Sequence, residues 1–231
     1  MPSSNDKMLI PTSNRFAVKR NYILYPIDSV DLMNALARSN LGYVIAQTPR
    51  VKVPIGAKFD AVGLIARKGG TGVDFDYVSQ IIGVEGLDPR EVVATMAEVE
   101  NIIQNELRIN VEENVRFYEA SSNYQVETGK NPLKILAQIK PPKEFYDSIG
   151  KILGISITTE AIHIAAISDT IESSEWFDMY IRPLPNRSST VYDVTTIFRR
   201  PTREPVAEFL SAIEVTTTKL FDIIESYAGG K

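Results

Sequence analysis

The chain has 231 residues, of which 44% are hydrophobic and 23% are charged, and its formal net charge is −4 at pH 7. This composition is typical of a globular protein with one large domain or two small ones. The sequence contains no cysteine, which excludes disulfide bonds, thiolate metal ligands and a cysteine nucleophile. An acidic balance also argues against an extended basic coat for duplex nucleic acid, whose binding depends on phosphate neutralisation.

The sequence also indicates where in the cell the protein is expected. No apolar stretch approaches the roughly 18 residues that indicate a membrane span, and the polar N-terminus lacks the pattern of a signal peptide. We therefore expect a cytoplasmic protein without a membrane segment. Cysteine avoidance is also found in proteins from hot environments, which makes a thermophilic source a hypothesis.

Residues 1–14 are polar, contain two prolines and are predicted to form a flexible tail. The first structural unit is predicted over residues 15–107, in the order strand, helix, four strands and long helix. Its strands are expected at 15–27, 43–48, 51–55, 60–68 and 73–84, and its helices after Asp28 and after Asp88. The second of these helices carries apolar residues at spacings of three and four: Val92, Met96, Val99, Ile103 and Leu107.

The segment Lys68-Gly69-Gly70-Thr71-Gly72 lies between the last two of these strands. A glycine-rich loop can cradle a phosphate when it precedes the N-terminus of a helix. A strand follows this one, so we interpret the segment as a hairpin turn.

A short linker is predicted at residues 108–113, followed by a second unit at 114–227. It begins with a strand at 114–126 and helical segments within 131–153. Four further strands are expected at 155–159, 162–168, 176–182 and 190–199, and a last helix is expected after Thr202.

The two units share an order of motifs. Phe59-Asp60 and Phe177-Asp178 each open an apolar run that ends in a basic residue. Each run is followed by a turn, a strand and a helix start, Pro89-Arg90-Glu91 in one unit and Pro201-Thr202-Arg203-Glu204 in the other. This order predicts an α+β protein built from an internally duplicated β-α-β-β-β-β-α unit; the alternative is two unrelated α+β halves.

Such a unit forms a curved antiparallel sheet with its helices on one face, leaving the other face open. The predicted order resembles the TATA-box-binding-protein-like saddle, over nearly the whole chain after residue 15. The resemblance rests on element order and implies no individual site residue.

Basic residues are the candidate contacts for a partner. Arg67 and Lys68 end one strand, and Arg199, Arg200 and Arg203 lie between the last strand and the last helix. Basic strands with nearby aromatic residues can bind single-stranded nucleic acid. The alternative is that these residues pair with the abundant aspartates and glutamates.

Two further sets of residues are of types that can take part in catalysis or metal binding. His163 is the only histidine, and we interpret it as a structural or surface residue. Asp60 and Asp178 occupy matching places in the two units and could hold a divalent cation or act in acid–base catalysis. Their spacing is not specific to that chemistry, so we predict no catalytic residue, no metal and no cofactor.

We therefore expect a non-enzymatic binding or scaffold protein that engages a macromolecule through its sheet face or edges. A protein partner or self-association is the leading expectation, with nucleic acid next. A second alternative is a small-ligand pocket between sheet and helices, with residues 127–153 as its wall. An enzyme based on the repeated carboxylates ranks last.

Overall fold

The computed structural model describes residues 7–21, 27–46, 62–113, 115–139, 147, 151–154, 156, 158–167, 173–187 and 190–228. The protein is α+β. Its strands are β1 (Met8–Arg20), β2 (Val44–Ile45), β3 (Val62–Lys68), β4 (Thr71–Asp76), β5 (Ile81–Gly86), β6 (Val115–Glu127), β7 (Ile162–Ala165), β8 (Trp176–Pro183) and β9 (Val191–Arg200). Its helices include α1 (Ser29–Arg38), α2 (Pro89–Glu106), α3 (Pro132–Leu136), α4 (Arg203–Ser211) and α5 (Ile213–Ala228).

Within the described residues the strands form one curved nine-stranded sheet in the order β2-β3-β4-β5-β1-β6-β9-β8-β7. The neighbouring strands pair antiparallel. The two longest strands, β1 and β6, have 13 residues each and lie side by side in the middle of the sheet. Predicted strand 51–55 and Asp60 lie outside the described residues.

The predicted tail is corrected at its C-terminal end. Strand β1 begins at Met8, so residues 8–14 belong to the sheet and pair with β6. Asn14 is fully buried, and its side-chain amide donates to the Leu87 carbonyl at 2.8 Å. Polar composition suggested a tail here, but the exposed residues of this segment alternate with partly buried ones, as in a strand with one wet face.

The predicted strand 73–84 is also corrected. It consists of β4 and β5, joined by a turn at residues 77–80. The Asp76 carboxylate accepts a hydrogen bond from the Ser79 amide at 3.0 Å, an interaction typical of aspartate in turns. Gln80 takes the left-handed conformation at φ 50°, which completes the reversal without glycine.

The predicted final helix is divided into α4 and α5. The Ala212 amide donates to the Glu208 carbonyl at 3.0 Å, and the second helix starts at the next residue. The β-branched residues 215–218 lie in α5, where Thr218 Oγ1 donates to the Glu214 carbonyl at 2.9 Å. Thr217 is buried, so tertiary packing offsets the low helix propensity of this segment.

The core lies between the sheet and the helices. Helix α2 contacts β5, β1 and β4, and α4 contacts β6, β9 and β1. The predicted stripe of α2 is confirmed, because Val92, Met96, Val99 and Ile103 are fully buried. Its predicted start is confirmed as well: the Asp88 carboxylate caps the helix by accepting from the Arg90 amide at 2.8 Å.

Candidate functional site

The face of the sheet opposite α2 and α4, here called the open face, carries cross-strand pairs of opposite charge. Their polar atoms lie 2.5–2.9 Å apart in the four pairs Arg15–Asp74, Glu119–Arg199, Arg182–Asp193 and His163–Asp178. The histidine is charged in its pair only when protonated. Basic side chains on this face are therefore largely neutralised within the protein.

One of these pairs spans a whole strand. Arg15 lies on β1 and Asp74 on β4, and the strand between them is β5, where Gly83 pairs with Asp74 on one side and with Ala17 on the other. A Cβ atom at Gly83 would lie 2.4 Å from Arg15 Nη2 and 2.5 Å from Asp74 Oδ1, so glycine is what allows the two side chains to meet. Burial opposes the charge of Arg15, but the hydrogen bond to Asp74 and the attraction of the Asp74, Glu119 and Glu85 carboxylates together outweigh it, so the pKa of Arg15 is raised.

Aromatic and cationic side chains meet on the same face in what we call the aromatic row: Trp176, Arg199, Phe117 and Lys19. Trp176 is opposite Arg199 in the register of β8 and β9. The Arg199 guanidinium lies 4.6 Å from the centre of the Phe117 ring, and Lys19 Nζ lies 5.9 Å from it. Phe117 is only 7% exposed, because these cationic side chains cover it. Sequence reasoning missed Trp176 and Phe117, although strand alternation places Phe117 on the same face as Glu119.

The five predicted contact residues do not form one basic patch. Arg67 is exposed and lines an open-face cavity with Asp74 and Glu85. Lys68 lies toward the helices, where its Nζ bonds to the Glu98 carboxylate at 2.6 Å.

The second basic group, Arg199, Arg200 and Arg203, also does not lie on a single face of the sheet. Arg199 faces the open side, whereas the Arg200 guanidinium lies 4.2 Å from the centre of the Phe198 ring. Arg203 bonds to Glu100 of α2 at 2.6 Å. A role for these residues in contacting a partner stays a prediction.

The glycine-rich segment joins β3 to β4 as a hairpin, as predicted, with Lys68 opposite Thr71. The Gly70 amide donates to the carboxylate of Glu91, in the first turn of α2, at 3.2 Å. An anion thus lies at this loop, but it belongs to the protein itself. This contact supports the hairpin interpretation over a phosphate cradle.

Of the two repeated carboxylates, the structure describes only Asp178, since Asp60 lies outside the described residues. Asp178 pairs with His163, and Tyr180 packs edge-on against the same imidazole with ring centres 6.0 Å apart. Among the described residues, no group of three or more histidines or carboxylates is placed to hold a metal ion.

A second polar site lies on the helix side, at the junction of α2, residues 108–113 and α4, which we call the seam. The Glu100 and Arg203 side chains are 15% and 21% exposed, and the Arg203 guanidinium lies 5.5 Å from the centre of the Phe16 ring. Burial raises the pKa of Glu100, and this outweighs the attraction of Arg203. Burial and the Glu100 carboxylate also raise the pKa of Tyr118.

Arg20 is an unusual buried charge near the end of β1. It is 3% exposed, and its Nε and Nη1 atoms make no hydrogen bond to any described residue. Burial lowers the pKa of Arg20, and the nearby Glu113 offsets this only in part. A buried cation with unpaired donors is destabilising relative to an apolar residue of similar size.

Replacing this residue is expected to stabilise the protein. Arg20→Met keeps the unbranched shape and removes two unpaired donors, so the free energy of unfolding should rise by about 1–3 kcal/mol. Urea denaturation followed by circular dichroism measures the change. A clear loss of stability would show that the guanidinium has a favourable role in the fold.

Among the described residues, no helix has the length and apolar character needed to cross a membrane. No protein-family model, curated protein or solved structure matches the chain. Its class is therefore defined by its architecture, an antiparallel sheet whose described helices contact one face.

Proposed function

We propose that this protein is a non-enzymatic intracellular binding or scaffold protein that engages a protein partner through the open face. The aromatic row carries the proposal. Tryptophan and arginine are over-represented among the residues that dominate binding energy at protein interfaces. The chain has a single tryptophan, and it lies on this face beside Arg199.

The charge pattern favours a protein over a nucleic acid as the partner. Binding to a phosphate backbone depends on cations that can displace counterions. Arg15, Arg182 and Arg199 are already paired with carboxylates of the same face. A surface of alternating signs suits a partner with a complementary alternating pattern.

We also propose that the fold is an internal duplication related to the TATA-box-binding-protein-like saddle. The order of strands supports this proposal. Moving outward from β1 the sheet runs β5, β4, β3 and β2, and moving outward from β6 it runs β9, β8 and β7. Each series leads from the last strand of a unit back to its earlier ones, as a duplicated unit would. The central pair β1–β6 would then lie on a pseudo-twofold axis.

Affinity capture with matched variants tests the proposed function. The wild type, Trp176→Ala and Val215→Ala are immobilised separately and exposed to nuclease-treated extract of the source cells. Val215 is an exposed apolar residue of α5 and serves as the control. We expect Trp176→Ala to retain the partner about tenfold less tightly, the effect of losing an interface residue worth about 1.4 kcal/mol or more.

The outcomes separate the alternatives. Equal retention by all three proteins would contradict binding through the aromatic row. A partner that is captured only when the nuclease is omitted would favour the nucleic-acid alternative. If the retained protein is the chain itself, sedimentation of the pure protein should show a concentration-dependent dimer that Trp176→Ala weakens.

A further inference from the structure

The seam contains a cavity of about 340 Å³. The described polar residues that line it are Glu100, Asn101, Gln104, Asn110, Glu112 and Arg203. Cavities that bind small molecules have volumes upward of roughly 300 Å³, so this one fits only a small ligand. It lies on the helix side, separate from the open face.

The charges at the seam are unbalanced. Among the described residues that line the cavity, Arg203 is the only cation, and its Nε atom is bonded to Glu100. Glu112 is exposed on the cavity wall, and Glu204 follows Arg203 at the start of α4. The carboxylates of Glu112 and Glu204 lie near enough to add to the effect of burial in raising the pKa of Glu100.

A buried hydroxyl provides a second, independent observation. Tyr118 is 3% exposed, and its hydroxyl has no hydrogen-bond partner among the described residues. The Tyr118 ring packs against Phe16 with ring centres 6.1 Å apart, and the Arg203 guanidinium lies 5.5 Å from the centre of the same Phe16 ring, so Tyr118 lies next to the seam. Burial and then the Glu100 and Glu112 carboxylates raise the pKa of Tyr118. Glu100 Oε1 and Arg203 Nη2 are also buried, and neither atom has a hydrogen-bond partner in the part of the chain that the structure describes. Polar atoms of this kind normally find a partner, in the protein or in a bound molecule.

The charged groups around the seam cavity favour some classes of ligand over others. An anion such as phosphate would be repelled by the excess of carboxylates. A bare divalent cation needs several carboxylate oxygens within one coordination sphere, and no such group occurs among the described residues. A longer molecule with separated positive charges can contact carboxylates that are too far apart for one ion, while its hydrocarbon segment packs against Ala97 and Val111.

We propose that the seam cavity binds a small aliphatic diamine or polyamine, with one ammonium group on Glu112 and another toward Glu100. Asn101, Gln104 and Asn110 offer amide oxygens to the remaining N–H groups. The proposal is independent of partner binding at the open face.

Isothermal titration calorimetry on the full chain tests it, with 1,4-diaminobutane and spermidine as the probes. We expect saturable binding to the wild type and about tenfold weaker binding to Glu112→Gln, because a charge-assisted hydrogen bond is lost. Glu112 is exposed, so this variant should fold normally. Glu208→Gln makes the same charge change on an exposed part of α4 and should bind as the wild type does.

Butylamine and magnesium chloride at matched ionic strength complete the design. Weaker binding of the monoamine is expected, because one ammonium group cannot contact both carboxylates. Equal weakening in Glu112→Gln and Glu208→Gln, or equal heats with magnesium chloride, would show unspecific charge screening and overturn the proposal. Absence of saturable binding up to high millimolar concentration would overturn it as well.

Discussion

Deletion of residues 1–14 is expected to abolish stable folding, whereas deletion of residues 1–6 should change the free energy of unfolding by less than about 0.5 kcal/mol. The longer deletion removes more than half of β1, which begins at Met8 in the middle of the sheet. Native domains are stable by only about 5–15 kcal/mol, so losing seven residues of a central strand is severe.

Three contacts explain the size of this effect. Residues 8–14 pair with residues 122–127 of β6. The fully buried Asn14 side chain bonds to the Leu87 carbonyl just before α2. Lys7 contacts Asp222 and Glu225 of α5, which connects the start of the chain to its last helix.

Urea unfolding of both truncated proteins, followed by far-ultraviolet circular dichroism, measures the effect. The shorter deletion is the control for loss of chain length alone. If both proteins unfold at the same urea concentration as the full chain, residues 8–14 act as the flexible tail that their composition suggests.

Phe16→Ala is the substitution with the largest expected effect, a loss of about 3–5 kcal/mol. Phe16 is fully buried in β1, and its ring centre lies 6.1 Å from that of Tyr118 on β6. The Arg203 guanidinium of α4 lies above the same ring. The side chain thus joins the central strand pair to α4, and its removal leaves a cavity between them.

Phe209→Ala is the matched control on α4. Its ring stacks on Phe198 at 4.3 Å between centres, but the residue is only partly buried. We expect a loss less than half that of Phe16→Ala in the same denaturation experiment. Equal losses would contradict a special role for Phe16 between the central strands and α4.

The sequence allowed accurate prediction wherever a signal is local. Asp88 and Pro89 are adjacent residues that specify a helix start by themselves, and the Gly69-Gly70 pair specifies a hairpin in the same way. The sequence also allows a prediction that the basic residues lie on different faces of the sheet, because successive strand residues point to opposite faces. That rule separates Arg199 from Arg200 without any knowledge of the fold.

The wrong predictions for residues 73–84 and residues 8–14 have a different cause. Residues 73–84 look like one strand because apolar residues continue through the turn, and Val78 at the turn is 70% exposed. Residues 8–14 look like a tail because one side of this segment faces water in the folded protein. In both cases a local pattern depends on which surface the rest of the protein covers.

The sequence by itself therefore determined the α+β class, the boundaries of α2, the β3–β4 hairpin and the absence of cysteine chemistry. Only the tertiary structure decided that Gly83 lies between Arg15 and Asp74, and that Glu100 meets Arg203 103 residues further along the chain. The physical reason is that strand register and helix packing bring together residues distant in sequence. Local propensities and spacings carry no information about those partners.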